Sequence, residues 1–166
     1  GSSFRSALFI ASAFDASIEQ TLLPLVGGGA VVVIGDDARE SPSRFWSEII
    51  EHGVTFVSCV PSYLETILLN APKPTSLDHL ALGGETLTAE FKNKVLRHLD
   101  VSRITNLYGP TETTIDAISF AVSNDTGAKI PIGRPMPNYR AYVLDGTLQP
   151  IPAGVVGELY ISGLGV

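Results

Sequence analysis

The sequence predicts an α/β fold in which a parallel β-sheet carries helices on both faces. Three observations support this prediction. Short apolar runs alternate along the chain with segments whose apolar residues recur at helical spacing. The apolar runs are continuous rather than alternating, as in strands that are buried on both faces. The connections between them are short, which favours parallel strands joined by crossover helices.

The first strand and helix are predicted at the beginning of the chain. We expect a buried strand over residues 7–11, followed by a helix. The apolar face of this helix is predicted to comprise Ile18, Leu22, Leu23 and Val26. Asp15 or Ser17 is expected to cap it. The glycines at 27–29 are expected to end it.

The next two strands and helices follow the same pattern. A fully buried strand is predicted over residues 30–34. Ser41-Pro42 begins a helix with proline at its first position, and this helix closes at His52-Gly53. Its predicted apolar face comprises Phe45, Trp46, Ile49 and Ile50. A strand over 54–60 and a helix over 61–69 come next.

Two further strands complete the predicted parallel sheet. The strand over 77–82 runs into Gly83-Gly84-Glu85, and Thr86 or Thr88 caps the helix that follows. The apolar residues of that helix are Phe91, Val95, Leu96 and Leu99. The last of these strands covers 103–107. The predicted organisation is flavodoxin-like in type.

The chain changes character beyond this fifth strand. Prolines and short apolar runs replace the helical spacing, so we expect short antiparallel strands over 140–144 and 155–161. Asp145-Gly146 is a hairpin-type turn signal. The sequence thus predicts two regions, 4–122 and 130–166, and the second is too small to form a core alone. We expect it to pack against the sheet or to pair with another copy, because its strand edges would otherwise be open.

The composition excludes several classes of function. The chain has 166 residues, is 45% apolar, and carries 17 acidic against 11 basic side chains with no basic stripe, so nucleic acid is not an expected partner. Cys59 is the single cysteine, predicted to be a buried structural thiol. No apolar run approaches the ~20 residues of a membrane span. No signal peptide is recognised, and Gly1-Ser2, or Gly1–Ser3, is typical of an expression scar. We therefore expect a cytoplasmic protein with no membrane partner.

A polar motif, Asn-Leu-Tyr-Gly-Pro-Thr-Glu-Thr-Thr over 106–114, follows the fifth predicted strand. In open α/β sheets ligands bind beyond the carboxyl ends of the strands. Tyr108 offers a flat face for a base, and Asn106 offers a paired donor and acceptor. Thr111 offers a hydroxyl, and Glu112 offers a hard oxygen ligand suited to Mg²⁺. These residues predict a nucleotide-plus-metal site; the alternative is an ordinary turn after a buried strand.

Three ordered motifs carry a resemblance to a known family. The 106–114 motif resembles the nucleotide-binding motif of the amino-acid-activating adenylation domains of nonribosomal peptide synthetases, which belong to the adenylate-forming superfamily. Ala-Phe-Asp-Ala-Ser over 13–17 and Gly-Glu-Leu-Tyr-Ile-Ser-Gly-Leu-Gly over 157–165 agree in type and order. The resemblance covers nearly the whole chain. It implies that 130–166 begin a β-barrel subdomain that is incomplete here, so that the chain is a central fragment of an adenylation domain.

The resemblance also implies a reaction. The family couples an amino acid to ATP with Mg²⁺, giving aminoacyl-AMP and pyrophosphate. The aminoacyl group then passes to the phosphopantetheine thiol of a peptidyl carrier domain, in the biosynthesis of antibiotics or siderophores. Such chemistry depends mainly on positioning and on stabilising charge around the phosphates.

The resemblance assigns nucleotide-binding roles to one set of residues. The implied adenine and phosphate positions are Gly83, Gly84, Glu85, Asn106, Tyr108 and Thr111. Tyr108 would stack on adenine, Asn106 would bind its exocyclic amine, and the glycines would allow close backbone approach. Thr111 would contact the α-phosphate and Glu112 would hold Mg²⁺, and these two are the predicted catalytic residues. The alternatives are a simple turn for the glycines, and for Glu112 a solvated loop carboxylate or one near a helix start.

A second set matches the family's amino-acid pocket. It comprises Asp15, Ala16, Glu19, Ser58, Ala81, Gly83, Leu107, Ile115 and Asp116. By resemblance Asp15 binds the α-ammonium group of the substrate; the alternative is a helix N-cap. Glu19 lies four residues further on, so both carboxylates can face one cavity if the helix begins there. A buried carboxylate without a partner is costly, and a cationic side chain offsets that cost. We therefore predict a basic, Lys-like substrate bound by Glu19 or Asp116, unless Glu19 points to solvent.

Several groups that the family uses have no counterpart among these 166 residues. They are the upstream phosphate loop, the downstream ribose-binding aspartate and the C-terminal subdomain with its catalytic lysine. We therefore expect the segment by itself to form no adenylate and to work with the remaining adenylation subdomains. Two other functions remain: a non-enzymatic nucleotide-binding module of flavodoxin-like fold, and a fragment of an acyl- or aryl-CoA ligase, against which Asp15 and the Gly-Pro-Thr-Glu sequence argue.

Overall fold

The computed structural model describes residues 4–166, so the predicted expression scar at Gly1–Ser3 lies outside the described residues. Strands β1 to β11 cover, in order, Arg5–Leu8, Ala30–Val33, Phe56–Cys59, Ser76–Leu77, His79–Leu82, Asp100–Val101, Ile104–Tyr108, Ile118–Val122, Arg134–Pro135, Tyr139–Leu144 and Glu158–Gly163. Helices α1 to α5 cover Ala16–Val26, Asp36–Arg39, Pro42–Glu51, Pro61–Leu68 and Ala89–His98, and a 3₁₀ turn covers Thr111–Thr113.

The main sheet has seven strands in the order β2-β1-β3-β5-β7-β8-β9 within the described chain. The first five are parallel, and numbered along the chain they have the order 2-1-3-4-5 of flavodoxin-like sheets. The next two pair antiparallel, β8 with β7 and β9 with β8. The sheet is therefore mixed and mostly parallel, and the predicted parallel sheet does not include this edge. The strand β8 was missed because residues 109–117 return the chain directly alongside β7, without a helix.

The strand boundaries differ from the predicted ones. The first strand ends at Leu8 rather than at residue 11, and the third is confined to Phe56–Cys59. The predicted strand over 77–82 is two strands: β4 pairs with β6, whereas β5 lies between β3 and β7. Apolar runs predict the presence of these strands, but their ends are determined by the hydrogen-bonding partners in the sheet.

The face that α1 buries is not the predicted one. The apolar residues Ile18, Leu22, Leu23 and Val26 are all exposed. The residues of α1 that are buried are Ser17, Gln20 and Pro24. Ile50 of α3, also predicted to be buried, is half exposed. The helical spacing was correct, but spacing does not say which side of a helix meets the sheet.

The first residues of the helices were predicted more accurately than the buried face of α1. Pro42 opens α3 after Ser41, and Phe45, Trp46 and Ile49 are buried as predicted. Thr88 caps α5, since its Oγ1 accepts a hydrogen bond from the Phe91 amide at 3.1 Å. At α1, Asp15 occupies the N-cap position but makes no capping hydrogen bond, and Ser17 lies inside the helix.

The region after β8 is built from short strands, as predicted. β10 and β11 form an antiparallel pair, and β9 joins the main sheet. The last strand begins at Glu158 rather than at residue 155. Asp145 forms a local turn, in which its carboxylate accepts hydrogen bonds from the amides of Thr147 and Gln149. The division into domains over 4–122 and 130–166 stays a prediction.

Candidate functional site

A cavity of about 840 Å³ opens beyond the carboxyl ends of the parallel strands. Its wall includes residues 9–11 after β1, Val60 after β3, Gly83-Gly84 after β5 and residues 109–111 after β7. This is the position at which open α/β sheets bind ligands. Its volume is within the range of small-molecule sites.

Eight of the nine predicted pocket positions line this cavity. They are Asp15, Ala16, Glu19, Ser58, Gly83, Leu107, Ile115 and Asp116. The ninth, Ala81, is 1% exposed and belongs to a small buried cluster with Phe56 and Leu107. The structure thus brings together residues from α1, β3, β7 and the loops after β5 and β7, and leaves Ala81 outside the wall.

Four carboxylates line the cavity, those of Asp15, Glu19, Glu40 and Asp116, and the first two act electrostatically on Asp116. Ser58 donates its Oγ–H to Glu19 Oε2 at 2.8 Å, so Glu19 points into the cavity rather than to solvent. Burial raises the pKa of Glu19, and the hydrogen bond from Ser58 partly offsets that rise. Burial, and then the negative charges of Glu19 and Asp15, raise the pKa of Asp116 to about 7.

Positive charge is scarce around these carboxylates. Arg39 is the one basic side chain among the described residues that line the cavity, and it is paired with Asp36 at 3.2 Å. Asp15 has no capping hydrogen bond, so its carboxylate is not occupied by the helix end. An anionic wall whose one basic side chain is already paired favours a positively charged guest.

Gln20 is a residue of this site that sequence reasoning missed. It is fully buried, and its Oε1 accepts hydrogen bonds from the amides of Phe9 and Ile10 at 3.0 and 3.2 Å. Its Nε2 donates to the Ser58 carbonyl at 2.8 Å. Gln20 therefore joins the ends of β1 and β3 beneath the cavity. A polar residue beside Glu19 in an apolar helix was the available signal.

The predicted adenine residues are placed in different surroundings. Gly83, Gly84 and Thr111 line the cavity. Tyr108 lies at the end of β7 and is 38% exposed. Asn106 is 5% exposed and donates from Nδ2 to the Pro131 carbonyl at 2.8 Å.

Glu85 has a local partner outside the cavity wall. Its carboxylate accepts hydrogen bonds from the Ser62 amide at 2.9 Å and from the Ser62 hydroxyl at 2.6 Å. Ser62 is in the first turn of α4, where a negative charge is stabilised by the helix dipole. In this structure Glu85 caps a neighbouring helix.

The predicted metal ligand, Glu112, is exposed in the 3₁₀ turn and makes no hydrogen bond or ion pair within residues 4–166. The described residues contain no group of three or more His, Cys, Asp or Glu side chains that could hold a metal ion. A lone carboxylate with no internal partner fits Mg²⁺, which keeps several waters and is commonly held by one or two carboxylates together with substrate phosphates.

Cys59 lies in the cavity wall as a buried thiol, which confirms its predicted burial. Burial and the negative charge of Glu85 raise its pKa to about 12. The thiol therefore stays protonated and is a poor nucleophile.

Among residues 4–166, no helix has the length and apolar character needed to cross a membrane.

Comparison with known proteins agrees with this geometry. Residues 2–166 match the family model of AMP-binding enzymes. The chain is 40% identical over 164 residues to an N-(5-amino-5-carboxypentanoyl)-L-cysteinyl-D-valine synthase of Streptomyces clavuligerus, covering 98% of this chain and 20% of that protein. It is 35% identical over 154 residues to a dimodular nonribosomal peptide synthase of Bacillus subtilis (strain 168), covering 93% of this chain and 6% of that protein.

The fold has close counterparts among solved structures. A four-domain nonribosomal peptide synthetase bound to AMP and glycine aligns with a TM-score of 0.89 at 29% identity, covering 98% of this chain and 12% of that one. The chain thus spans only a small part of the length of the proteins it resembles. From the family match, the fold and the cavity beyond the parallel strands, the chain belongs to the AMP-binding enzyme family, as a segment of an adenylation domain of the nonribosomal peptide synthetase type.

Proposed function

We propose that this chain is the amino-acid-binding part of an adenylation domain, and that its parent protein activates a basic amino acid with ATP. The product is aminoacyl-AMP, whose aminoacyl group passes to a carrier-protein thiol. The observation that carries the proposal is the convergence of Asp15, Glu19 and Asp116 on one cavity whose single basic residue is already paired. The similar synthetase bound to AMP and glycine supports the reaction class.

The three carboxylates have separable roles in this proposal. Asp15 at the start of α1 binds the α-ammonium group. Its carboxylate is available for this role, since it makes no capping hydrogen bond. Glu19 and Asp116 bind a second positive charge on a Lys-like side chain. A cation between them favours loss of the proton from Asp116, whose pKa is raised to about 7 by burial and by the neighbouring negative charges.

The nucleotide lies toward the end of β7 in this proposal. The exposed face of Tyr108 stacks on adenine, and Thr111 contacts the α-phosphate. Asn106 uses Nδ2 on the Pro131 carbonyl, which leaves its Oδ1 as the acceptor that an exocyclic amine requires. Glu112 holds Mg²⁺, which neutralises phosphate charge when bound. Gly83 and Gly84 border the nucleotide by backbone approach, whereas Glu85 contributes by capping α4.

The rest of the adenylation domain is the proposed partner of the exposed side of α1. Ile18, Leu22 and Leu25 are 50, 52 and 54% exposed and recur at helical spacing, and Phe14, just before the helix, is 66% exposed. An apolar stripe of this kind marks an interaction surface in a folded protein. We infer that the remaining subdomains of the parent cover it, and that the β10–β11 pair begins a β-barrel completed by other residues. A cytoplasmic location follows from the same assignment.

The test is ATP–pyrophosphate exchange by the full-length parent with a panel of amino acids. The proposal expects Lys, Orn or Arg to be activated fastest. Faster activation of a neutral apolar amino acid contradicts the basic substrate but leaves the reaction class intact. Activation of fatty or aryl acids instead identifies an acyl- or aryl-CoA ligase. Nucleotide binding without any response to amino acids identifies a non-enzymatic nucleotide-binding module.

A further inference from the structure

The loop between β7 and β8 contains a strained turn next to the cavity. Thr114 and Ile115 have φ angles of 55° and 72°, which are unusual for residues other than glycine and most unfavourable for a β-branched residue. The Asp116 amide donates to the Thr114 carbonyl at 3.0 Å, which closes a three-residue turn around Ile115. Turns of this kind with positive φ are rare, and they persist only where the surroundings enforce them.

This strained turn determines part of the cavity wall. Ile115 and Asp116 both line the cavity, and the turn presents them to it. From the inner side the turn rests on Gly109, where an added Cβ would collide with the Ile115 carbonyl oxygen and lie 2.7 Å from the Asp116 Cα. Because Gly109 has no side chain, the turn can approach the end of β7. Gly109 makes no side-chain contact that would hold the turn there.

The β10–β11 pair supplies the outer support. Tyr139, the first residue of β10, donates its hydroxyl to the Thr113 carbonyl at 2.6 Å. Thr114 donates its Oγ1–H to the Gly165 carbonyl at 2.7 Å, just after β11. Two hydrogen bonds between the turn and the second region thus hold the residues immediately before Ile115.

The glycines around β11 make room for this support. An added Cβ at Gly165 would collide with the Tyr139 hydroxyl, and one at Gly163 would lie 2.9 Å from Tyr139 Cδ1. Both belong to the Gly-Glu-Leu-Tyr-Ile-Ser-Gly-Leu-Gly motif, to which no substrate contact is assigned. These two glycines of the motif leave room for the Tyr139 side chain, whose hydroxyl reaches the Thr113 carbonyl.

We propose that Tyr139 is a positioning residue for the amino-acid pocket: its hydroxyl, together with the Thr114–Gly165 hydrogen bond, holds the strained turn so that Ile115 and Asp116 face the cavity. Tyr139 touches neither substrate nor nucleotide and acts through the backbone of Thr113. The consequence for substrate binding rests on the proposed function, whereas the mechanical link between Tyr139 and the turn does not.

The mechanical link is tested by hydrogen exchange in the full-length protein carrying Tyr139→Phe, which removes the hydroxyl and keeps the ring. We expect amides in 113–117 to exchange faster by about threefold to tenfold, the effect of one lost hydrogen bond. The matched control is Tyr142→Phe in the same strand, because the Tyr142 hydroxyl makes no hydrogen bond within residues 4–166. Equal exchange in wild type and Tyr139→Phe overturns the proposal.

The consequence for the pocket is tested by amino-acid-dependent pyrophosphate exchange with the same two variants. We expect the KM for the amino acid to rise by about threefold to tenfold in Tyr139→Phe, with the KM for ATP within twofold of wild type. Thr114→Val, which removes the other hydrogen bond, is expected to act in the same direction. Faster hydrogen exchange with an unchanged KM for the amino acid overturns the positioning role. If the wild type activates no amino acid, the proposed function fails, while hydrogen exchange still decides whether Tyr139 holds the turn.

Discussion

The Ser58 hydroxyl donates a 2.8 Å hydrogen bond to the Glu19 carboxylate. The two residues are 39 positions apart in the chain, Ser58 in strand β3 and Glu19 in helix α1. The bond directs Glu19 into the cavity and partly offsets the rise in its pKa that burial causes. Gln20 Nε2 donates a hydrogen bond to the carbonyl of the same serine. This bond helps to fix the position of Ser58, which in turn orients the Glu19 carboxylate. Glu19 is therefore held in the cavity wall by a hydrogen bond and is not a solvated residue on the outer face of its helix.

Glu19→Gln is predicted to reduce kcat/KM for a basic amino acid by roughly tenfold to a hundredfold. The reason is the loss of a charged partner, since hydrogen bonds to charged groups contribute about 1.5–3 kcal/mol. Pyrophosphate exchange by the full-length parent measures it, with Glu90→Gln on the exposed side of α5 as the control. An unchanged preference for Lys over Gln in Glu19→Gln would show that Glu19 does not read the side chain.

The stability of the chain is predicted to fall as the pH rises from about 4 to about 7, in part because of Asp116. Its pKa is raised in the folded state, so its contribution is fully present below the unfolded pKa near 3.8 and is lost as pH rises through the folded pKa. Melting temperatures between pH 5 and 8 should decline less in Asp116→Asn than in wild type.

The comparison of variants reports on Asp116 together with its coupling to Glu19, whose negative charge contributes to the raised pKa of Asp116. His79 has a lowered pKa, so its effect has the opposite sign, but it is present equally in wild type and Asp116→Asn. Asp125→Asn, at an exposed loop position, serves as the control. Parallel pH profiles for wild type and Asp116→Asn would mean that Asp116 titrates normally.

Gln20→Leu is predicted to destabilise the chain by about 3 kcal/mol, because it removes the hydrogen-bond partner of the Phe9 and Ile10 amides and of the Ser58 carbonyl. Urea unfolding of this chain measures the change. Gln149→Ala, at an exposed position, should shift the free energy of unfolding by less than about 0.5 kcal/mol. A Gln20→Leu variant as stable as wild type would indicate that the strand ends rearrange at little cost.

Thr88→Ala is predicted to cost about 1 kcal/mol, the usual value for loss of an N-cap side chain. Thr88 Oγ1 accepts from the Phe91 amide, whereas Thr86, two residues earlier, has no such hydrogen bond within the described chain. Thr86→Ala is therefore a matched control that is expected to be nearly neutral in urea unfolding. Equal losses in the two variants would contradict the assignment of the cap.

The 166 residues by themselves are predicted to form no detectable adenylate. Their cavity is lined by four carboxylates and one paired arginine, so it lacks the positive charge that a transferring phosphate requires. ATP-dependent pyrophosphate exchange by this chain, compared with its Glu112→Ala variant, is the measurement. Activity well above that of the variant would contradict the prediction.

Local patterns in the sequence predicted a large part of this fold. Continuous apolar runs indicated the five parallel strands, and Pro42 and Thr88 marked helix starts that the structure confirms. These features depend on neighbours within a few residues, so one sequence suffices to find them. The antiparallel strand β8 was missed, because no helix precedes it and the strand–helix alternation used for the other strands does not indicate it.

The sequence by itself determined which residue types stand at the carboxyl ends of the strands, and thus the class of site to expect. Only the tertiary structure decided that α1 buries Gln20 and exposes Leu22, that Ala81 stays out of the cavity wall, and that Tyr139 reaches the turn before Ile115. The physical reason is distance along the chain. Caps and strand propensities are short-range, whereas side-chain orientation, burial and the pKa of Asp116 arise from contacts between segments that meet only when the sheet is assembled.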